Sequence, residues 1–508
     1  MKPTHVIKAY RILLFGTAIV VQLLLMITFI IWFRQYFVGF YGASILISII
    51  AVLWILNTNT NPAYQIGWVI AIMVFPIFGA LLFVYYRTGR FTKKRMGSIT
   101  RNTIDAFSSM DGILDSIAKQ DVYAGNQSRF IQNASYYPPY LNSGAEYLPS
   151  GECKFARLKE ELKKAEHFIF LEYFIIEEGL MWNSILEILQ AKAASGVDVR
   201  VIYDDLGCLP TLPHNYNRKL EDMGIKCCVF NPLIPVLTSR LNNRDHRKIA
   251  IIDGHTGFTG GINLADEYIN KVEKYGHWKD AAILIKGQAV WSLTVMFLSV
   301  WNNLREVTED NALFYNPKAS DLPNESDGYV QPFGDSPLDD VSIAEGVYLN
   351  LINKAKKYIY ITTPYLIINH EMITALCLAA KGGVDVRIIT PYHADKWYVH
   401  TVSRSYYHAL VKGGVKVYEY MPGFIHSKNF VVDDEYGVVG TINMDYRSLY
   451  LHFECAVWLY RCSCIRDILK DFQATMQVCR EITMEDLNKI PQHKVLVMSI
   501  LRVFAPLM

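Results

Sequence analysis

His246-Arg247-Lys248-Ile249-Ala250-Ile251-Ile252-Asp253 and His426-Ser427-Lys428-Asn429-Phe430-Val431-Val432-Asp433 both read H-x-K-x-x-x-x-D. With 13 histidines in 508 residues, chance supplies only about 0.03 such matches per chain, so two copies at equivalent places mark a duplication. A Gly-rich turn ending in Asn follows each one: Thr259-Gly260-Gly261-Ile262-Asn263 and Val439-Gly440-Thr441-Ile442-Asn443. Upstream, Gly196-Val197-Asp198-Val199-Arg200 recurs letter for letter as Gly383-Val384-Asp385-Val386-Arg387. In each half an apolar run (167–175; 357–367) precedes a helical stretch, the GVDVR segment opens a second apolar run, and a third follows Gly224 or Gly414. Strand, helix, strand, helix, strand, twice over, predicts an α/β fold of two similar lobes with mixed or parallel sheets covered by helices.

The motif spacing has a mechanical meaning. Residues two apart on a strand share a face, so His246 projects with Lys248 and His426 with Lys428. Asp253 stands roughly 20 Å along an extended strand from His246, and Asp253-Gly254 is a hairpin signal. Asp253 and Asp433 thus complete the catalytic signature while working at the turn. If the lobes face each other about a pseudo-twofold axis, His246, Lys248, Asn263, His426, Lys428 and Asn443 line one pocket. That many cationic and amide groups in one place call for an anion, and a phosphodiester fits. Two opposed imidazoles can supply a nucleophile on one side of phosphorus and an acid on the other, while lysines and amides hold the non-bridging oxygens. No Asp, Glu, His or Cys cluster has metal-ligand spacing, so the expected chemistry needs no metal and no cofactor.

The rest of the composition bounds the setting. A net charge of +2 gives no basic field for nucleic acid. Nine scattered cysteines make no disulfide framework and fit a reducing compartment, and Cys462-Ser463-Cys464 lacks the second pair a zinc site needs. Residues 12–33, 39–57 and 67–86 are uncharged and long enough to predict three membrane spans. Arg87, Arg90, Lys93, Lys94 and Arg95 after the third span place the catalytic part in the cytoplasm, although three spans would then leave Lys2, Lys8 and Arg11 outside. The expected order is a membrane region (1–90), a connector (91–135), a first lobe (136–315), a Pro/Asp/Ser/Gly-rich linker (316–340), a second lobe (341–485) and a C-terminal interfacial segment (486–508).

These residues resemble the phospholipase D superfamily, and within it the bacterial cardiolipin synthases. Trp68, Pro76, Gly79 and Tyr85 are similar to that family's N-terminal membrane hairpin, and Asn443-x-Asp445-x-Arg447-Ser448 to its second-half continuation. The resemblance covers residues 40–508, with the first hydrophobic segment as an addition. It implies transfer of a phosphatidyl group between two phosphatidylglycerol molecules, giving cardiolipin and glycerol, with a phosphohistidine on His246 and acid–base work by His426. It also implies that a carboxylate some thirty residues beyond each histidine orients that histidine's imidazole; Asp280 and Glu454 stand at those places. Lys279 replaces a common Arg, and His452 a common Asn. Phospholipase D hydrolysis, a nuclease or a non-catalytic membrane scaffold are the rivals. The nuclease would need a basic groove, and the scaffold would be expected to have lost a His or Lys from one copy.

Overall fold

Gly196 and Gly383, the first letters of the repeated pentapeptide, take φ of 92° and 99°. Such left-handed values suit glycine and end the preceding helix. The Val197 N–H reaches back to the Lys192 carbonyl and the Val384 N–H to that of Ala379. The rest of the pentapeptide is structural too: Arg200 pairs with Asp198 at 2.7 Å and Arg387 with Asp385 at 2.6 Å, with Lys226 and Lys416 completing matching triads.

The computed structural model describes residues 20–21, 23–28, 37–58, 61–88, 107, 112–233, 242–305, 315–316, 327–337 and 341–507. Two units divide the chain, one holding Met1–Phe91 and Asn231–Asn242, the other Thr92–Phe230 and Asn243–Pro506.

In the first unit the helices are Phe37–Leu56, Pro62–Val74 and Pro76–Thr88. The expected span at 67–86 is broken where Pro76 stops the ladder. The bend brings Gly79 so near the Ala71 carbonyl that a Cβ would come within 2.7 Å of it. Ala51, Ile55, Ile72, Ala80 and Phe83 form the small core. Most of the expected span 12–33 lies outside the described residues, and among the described residues no helix is long and apolar enough to cross a membrane.

The second unit contains both lobes. Strands β1 (Ser143–Leu148), β2 (Phe168–Tyr173), β3 (Asp198–Asp204), β4 (Lys226–Phe230), β5 (Lys248–Ile252), β6 (Thr256–Gly260), β7 (His277–Lys279) and β8 (Ala282–Gly287) belong to the first lobe. Then come β9 (Tyr329–Asp335), β10 (Tyr358–Thr362), β11 (Asp385–Pro391), β12 (Lys416–Tyr420), β13 (Gly423–Ile425), β14 (Asn429–Val432), β15 (Tyr436–Gly440), β16 (Glu454–Tyr460) and β17 (Cys479–Ile482). One sheet runs β1-β8-β6-β5-β2-β3-β4, the other β17-β12-β11-β10-β14-β15-β16-β9. Both are mixed: β2-β3-β4 and β10-β11-β12 are parallel, and the motif strands β5 and β14 join them antiparallel. Helices Leu180–Ala194 and His370–Lys381 make the matching first crossovers. Strand β9 lies within the stretch read as a linker and pairs along β16, while the connector carries helices Ile113–Gln120 and Val122–Ser135.

Strands β2 and β5 are buried at every residue, as central strands covered on both faces must be. The hairpin signal is met: Asp253 and Gly254 have φ of 49° and 69° between β5 and β6, and Asp433 and Asp434 have 51° and 63° between β14 and β15. Asp253 accepts the backbone N–H groups of Glu166, His167 and Phe168, and Asp433 those of Lys356, Lys357 and Tyr358. Both motif aspartates therefore pin the turn to the start of the neighbouring antiparallel strand, β2 or β10, away from the histidines.

Candidate active site

Each motif histidine opens the approach to its strand, and the lobe opposite holds it there. The His246 N–H donates to the Phe453 carbonyl at 2.9 Å, and Phe453 returns a bond to Arg244 at 2.8 Å. Symmetrically, the His426 N–H donates to the Lys279 carbonyl at 2.7 Å, where β13 of the second lobe runs parallel to β7 of the first. The residue after each of these carbonyls is a carboxylate. His246 Nδ1 therefore meets Glu454 at 2.8 and 3.0 Å, and His426 Nδ1 meets Asp280 at 2.7 Å. Both expected carboxylates bond an imidazole, but the pairing is crossed, each histidine meeting the carboxylate of the other lobe.

The Gly-rich turns explain how the carboxylates fit. A Cβ on Gly261 would fall 2.1 Å from Asp280 Oδ1, so a side chain there would displace the carboxylate. At the matching position Thr441 instead donates its hydroxyl to Glu454. Asp280 and Glu454 are fully buried.

An ionised carboxylate only accepts, so Nδ1 of each histidine carries the hydrogen and Nε2 keeps a lone pair. Burial holds His246 down to about 3 against the pull of Glu454, and His426 down to about 4 with Lys428 adding to the effect. Both are neutral at pH 7. Burial would raise Glu454 and Asp280, but the facing histidines outweigh it, with Lys428 added for Asp280, and both stay below the usual carboxylate range.

Lys248 and Lys428 fold back along their strands, each donating its ammonium to the carbonyl of its own histidine. Burial lowers them to about 8 and about 7. Asn443 Oδ1 is buried without a partner among the described residues, whereas Asn263 is engaged on both sides, accepting from the Ile175 N–H at 3.0 Å and donating to the Tyr268 hydroxyl at 2.7 Å.

Several residues here have no signal in the sequence. Lys154, on helix Gly151–Lys164, is fully buried, donates to the Ile262 carbonyl at 2.8 Å and lies over the Tyr173 ring; burial lowers it to about 7. Arg247, inside the motif, binds buried Glu172 at 2.6 Å and Asp245 at 3.0 Å. No metal-ligand spacing shows in the sequence, but folding brings one donor atom each of His246, His452 and Glu454 within 4.8 Å of one another.

Comparison with known proteins agrees with this duplicated geometry. A family profile described as cardiolipin synthase, PLD-like domain, matches residues 158–294 and 348–476. An uncharacterized Streptococcus mutans protein is 42% identical over 90% of this chain and 99% of its own. Cardiolipin synthases of Alkalihalophilus pseudofirmus and Halalkalibacterium halodurans are 33% and 32% identical, each over 94% of this chain and 95% of theirs. The crystal structure of Haemophilus influenzae phosphatidylserine synthase has the same fold, with a TM-score of 0.55 at 16% identity, covering 75% of this chain and 98% of that one. Two motif-bearing lobes, matched in both halves and aligned with cardiolipin synthases over most of the chain, place it in the cardiolipin synthase family of phospholipase D-like phosphatidyltransferases.

Proposed function

We propose that the enzyme moves a phosphatidyl group from one phosphatidylglycerol to the glycerol hydroxyl of a second, releasing glycerol and forming cardiolipin. The observation that carries this reading is the crossed pair of histidine–carboxylate bonds, which leaves a free Nε2 lone pair on each of two buried histidines. His246 Nε2 attacks phosphorus, the P–O bond to glycerol breaks, and His426 delivers a proton to the departing oxygen. The neutral His426 takes that proton up with the substrate, whose anionic phosphate favours the imidazolium. In the second half His426 removes the proton of the incoming hydroxyl, the new P–O bond forms, and the P–N bond to His246 breaks.

Charge supports the anion. Buried Lys154, Lys248 and Lys428 interact with Glu454 and Asp280, and their ammonium groups offer positive charge to a phosphodiester monoanion. Lys248, Lys428 and Asn443 hold the non-bridging oxygens, Asn263 with them through its remaining N–H, and no metal is required. The first unit anchors the enzyme in the cell membrane, with the catalytic unit on the cytoplasmic side: helix Phe37–Leu56 carries no charge and exposes Leu46, Ile50 and Leu53, which asks for lipid rather than water. Membrane fixation favours a lipid hydroxyl over water as acceptor.

The test is product analysis of the purified full chain with phosphatidylglycerol in mixed micelles containing a chelator. Cardiolipin and glycerol in equal amounts are expected. Phosphatidic acid in place of cardiolipin would make the enzyme a hydrolase, and activity that returns only with a divalent ion would overturn the metal-free mechanism.

A further inference from the structure

His452, beside the His246–Glu454 pair, has no hydrogen-bond partner for its ring among the described residues. Its side chain is 11% exposed, and its Nδ1 lies 3.8 Å from Glu454 Oε1. Its ring centroid is 5.6 Å from that of His246, and both ring nitrogens are buried without a hydrogen bond. A buried imidazole with two unsatisfied nitrogens is costly unless something further completes it. The trio offers two neutral imidazoles and a carboxylate, with donor atoms within 4.8 Å of one another.

We propose that His246, His452 and Glu454 bind a divalent transition ion of the zinc class, and that the bound ion switches the enzyme off. The donor set decides the class: two nitrogens and one oxygen suit zinc or cobalt, whereas magnesium and calcium take oxygens. Neighbouring ligands around a tetrahedral ion stand roughly 3.3 Å apart, and His452 can swing to close the set because no hydrogen bond of its ring fixes it. Glu454 and nearby buried Asp445 favour the ion; Lys248 opposes it, with its ammonium turned to the His246 carbonyl.

The inhibitory step moves one hydrogen and releases none. His246 Nδ1, the nitrogen facing Glu454, gives its lone pair to the ion, and the hydrogen it carried shifts to Nε2. A neutral imidazole bound through Nδ1 has no lone pair at Nε2, so attack on phosphorus stops. A family member with Asn at the position of His452 would lack one of the two imidazoles.

Two measurements on the full chain in detergent test this, and only the second rests on the transfer reading above. Cobalt should bind with visible d–d bands and without thiolate-to-cobalt charge transfer, which separates this trio from the free cysteines. His452→Asn should abolish those bands. Zinc should suppress transfer, and His452→Asn, measured against its own metal-free rate, should raise the half-inhibiting concentration at least about tenfold, while magnesium and calcium leave the wild-type rate unchanged. Unchanged cobalt bands in the variant, bands of thiolate type only, or equal zinc sensitivity in both proteins would overturn the proposal. If transfer itself were absent, the cobalt result would still decide the site.

Discussion

Glu454 in the second lobe accepts His246 Nδ1 of the first on both its oxygens, and Asp280 in the first accepts His426 Nδ1 of the second. The exchange makes the two carboxylates separable by experiment. With phosphatidyl-p-nitrophenol, whose leaving group needs little protonation, Asp280→Asn should keep the nitrophenol burst and accumulate acid-labile labelled protein, since it impairs His426. Glu454→Gln should lose both, since it impairs His246. Each should slow steady-state transfer at least about a hundredfold. The reverse assignment of burst and label would mean that His426 is the nucleophile.

Acid and alkaline limits follow from the buried groups. Lys428 and Lys248, lowered to about 7 and about 8, lose their charge as pH rises through those values, adding up to two to the downward slope of kcat/KM between pH 7 and 9. His246 stays neutral until about pH 3, whereas neutral His426, at about 4, must take up its proton with the substrate, so kcat/KM should already fall with a slope near one from about pH 4 upward. In Lys428→Met the alkaline limb should gain only one further unit of slope. A limb unchanged by that substitution would remove the lysines from substrate binding.

Asp253 and Asp433 should prove necessary for stability and dispensable for chemistry. Each accepts three backbone N–H groups, so Asp253→Ala or Asp433→Ala should cost about 2–3 kcal/mol, seen as earlier thermal unfolding. At a temperature where the variant stays folded, its transfer rate should remain within about threefold of wild type. A large rate loss in a folded variant would return these carboxylates to the reaction.

The Gly261 contact predicts a remote mimic of Asp280→Asn. Because a Cβ there would lie 2.1 Å from Asp280 Oδ1, Gly261→Ala should displace the carboxylate and slow transfer at least about tenfold, a loss of about 1.4 kcal/mol in transition-state stabilisation. The nitrophenol burst should survive, as for Asp280→Asn. A normal rate would show that the turn relaxes around the methyl group.

The fold was legible because its signals are local: alternating apolar runs, glycine helix stops and the Asp-Gly turn each act over a few residues. Both histidines and both lysines were legible from the repeated motif, and both carboxylates only through the family resemblance. Their partnership was not. Asp280 stands 34 residues beyond His246 and Glu454 28 beyond His426, which suggests pairing within each half; the pairing of β7 with β13, a contact across more than 140 residues, reverses it. Lys154 opens a basic helical stretch reading KFARLKEELKK. Nothing in those letters separates it from Arg157, which pairs with Glu146 and Glu160, or from exposed Lys163 and Lys164; only burial does. Pro76 was visible in the third hydrophobic run, but how sharply it folds the chain depends on Gly79 meeting Ala71.

The crossed carboxylates also change what the repeat means for the gene. Damage to the first half at Asp280 disables a histidine of the second, and damage to the second at Glu454 disables one of the first. Two copies of a motif ordinarily suggest a spare. Here each half is hostage to the other, and neither can drift alone.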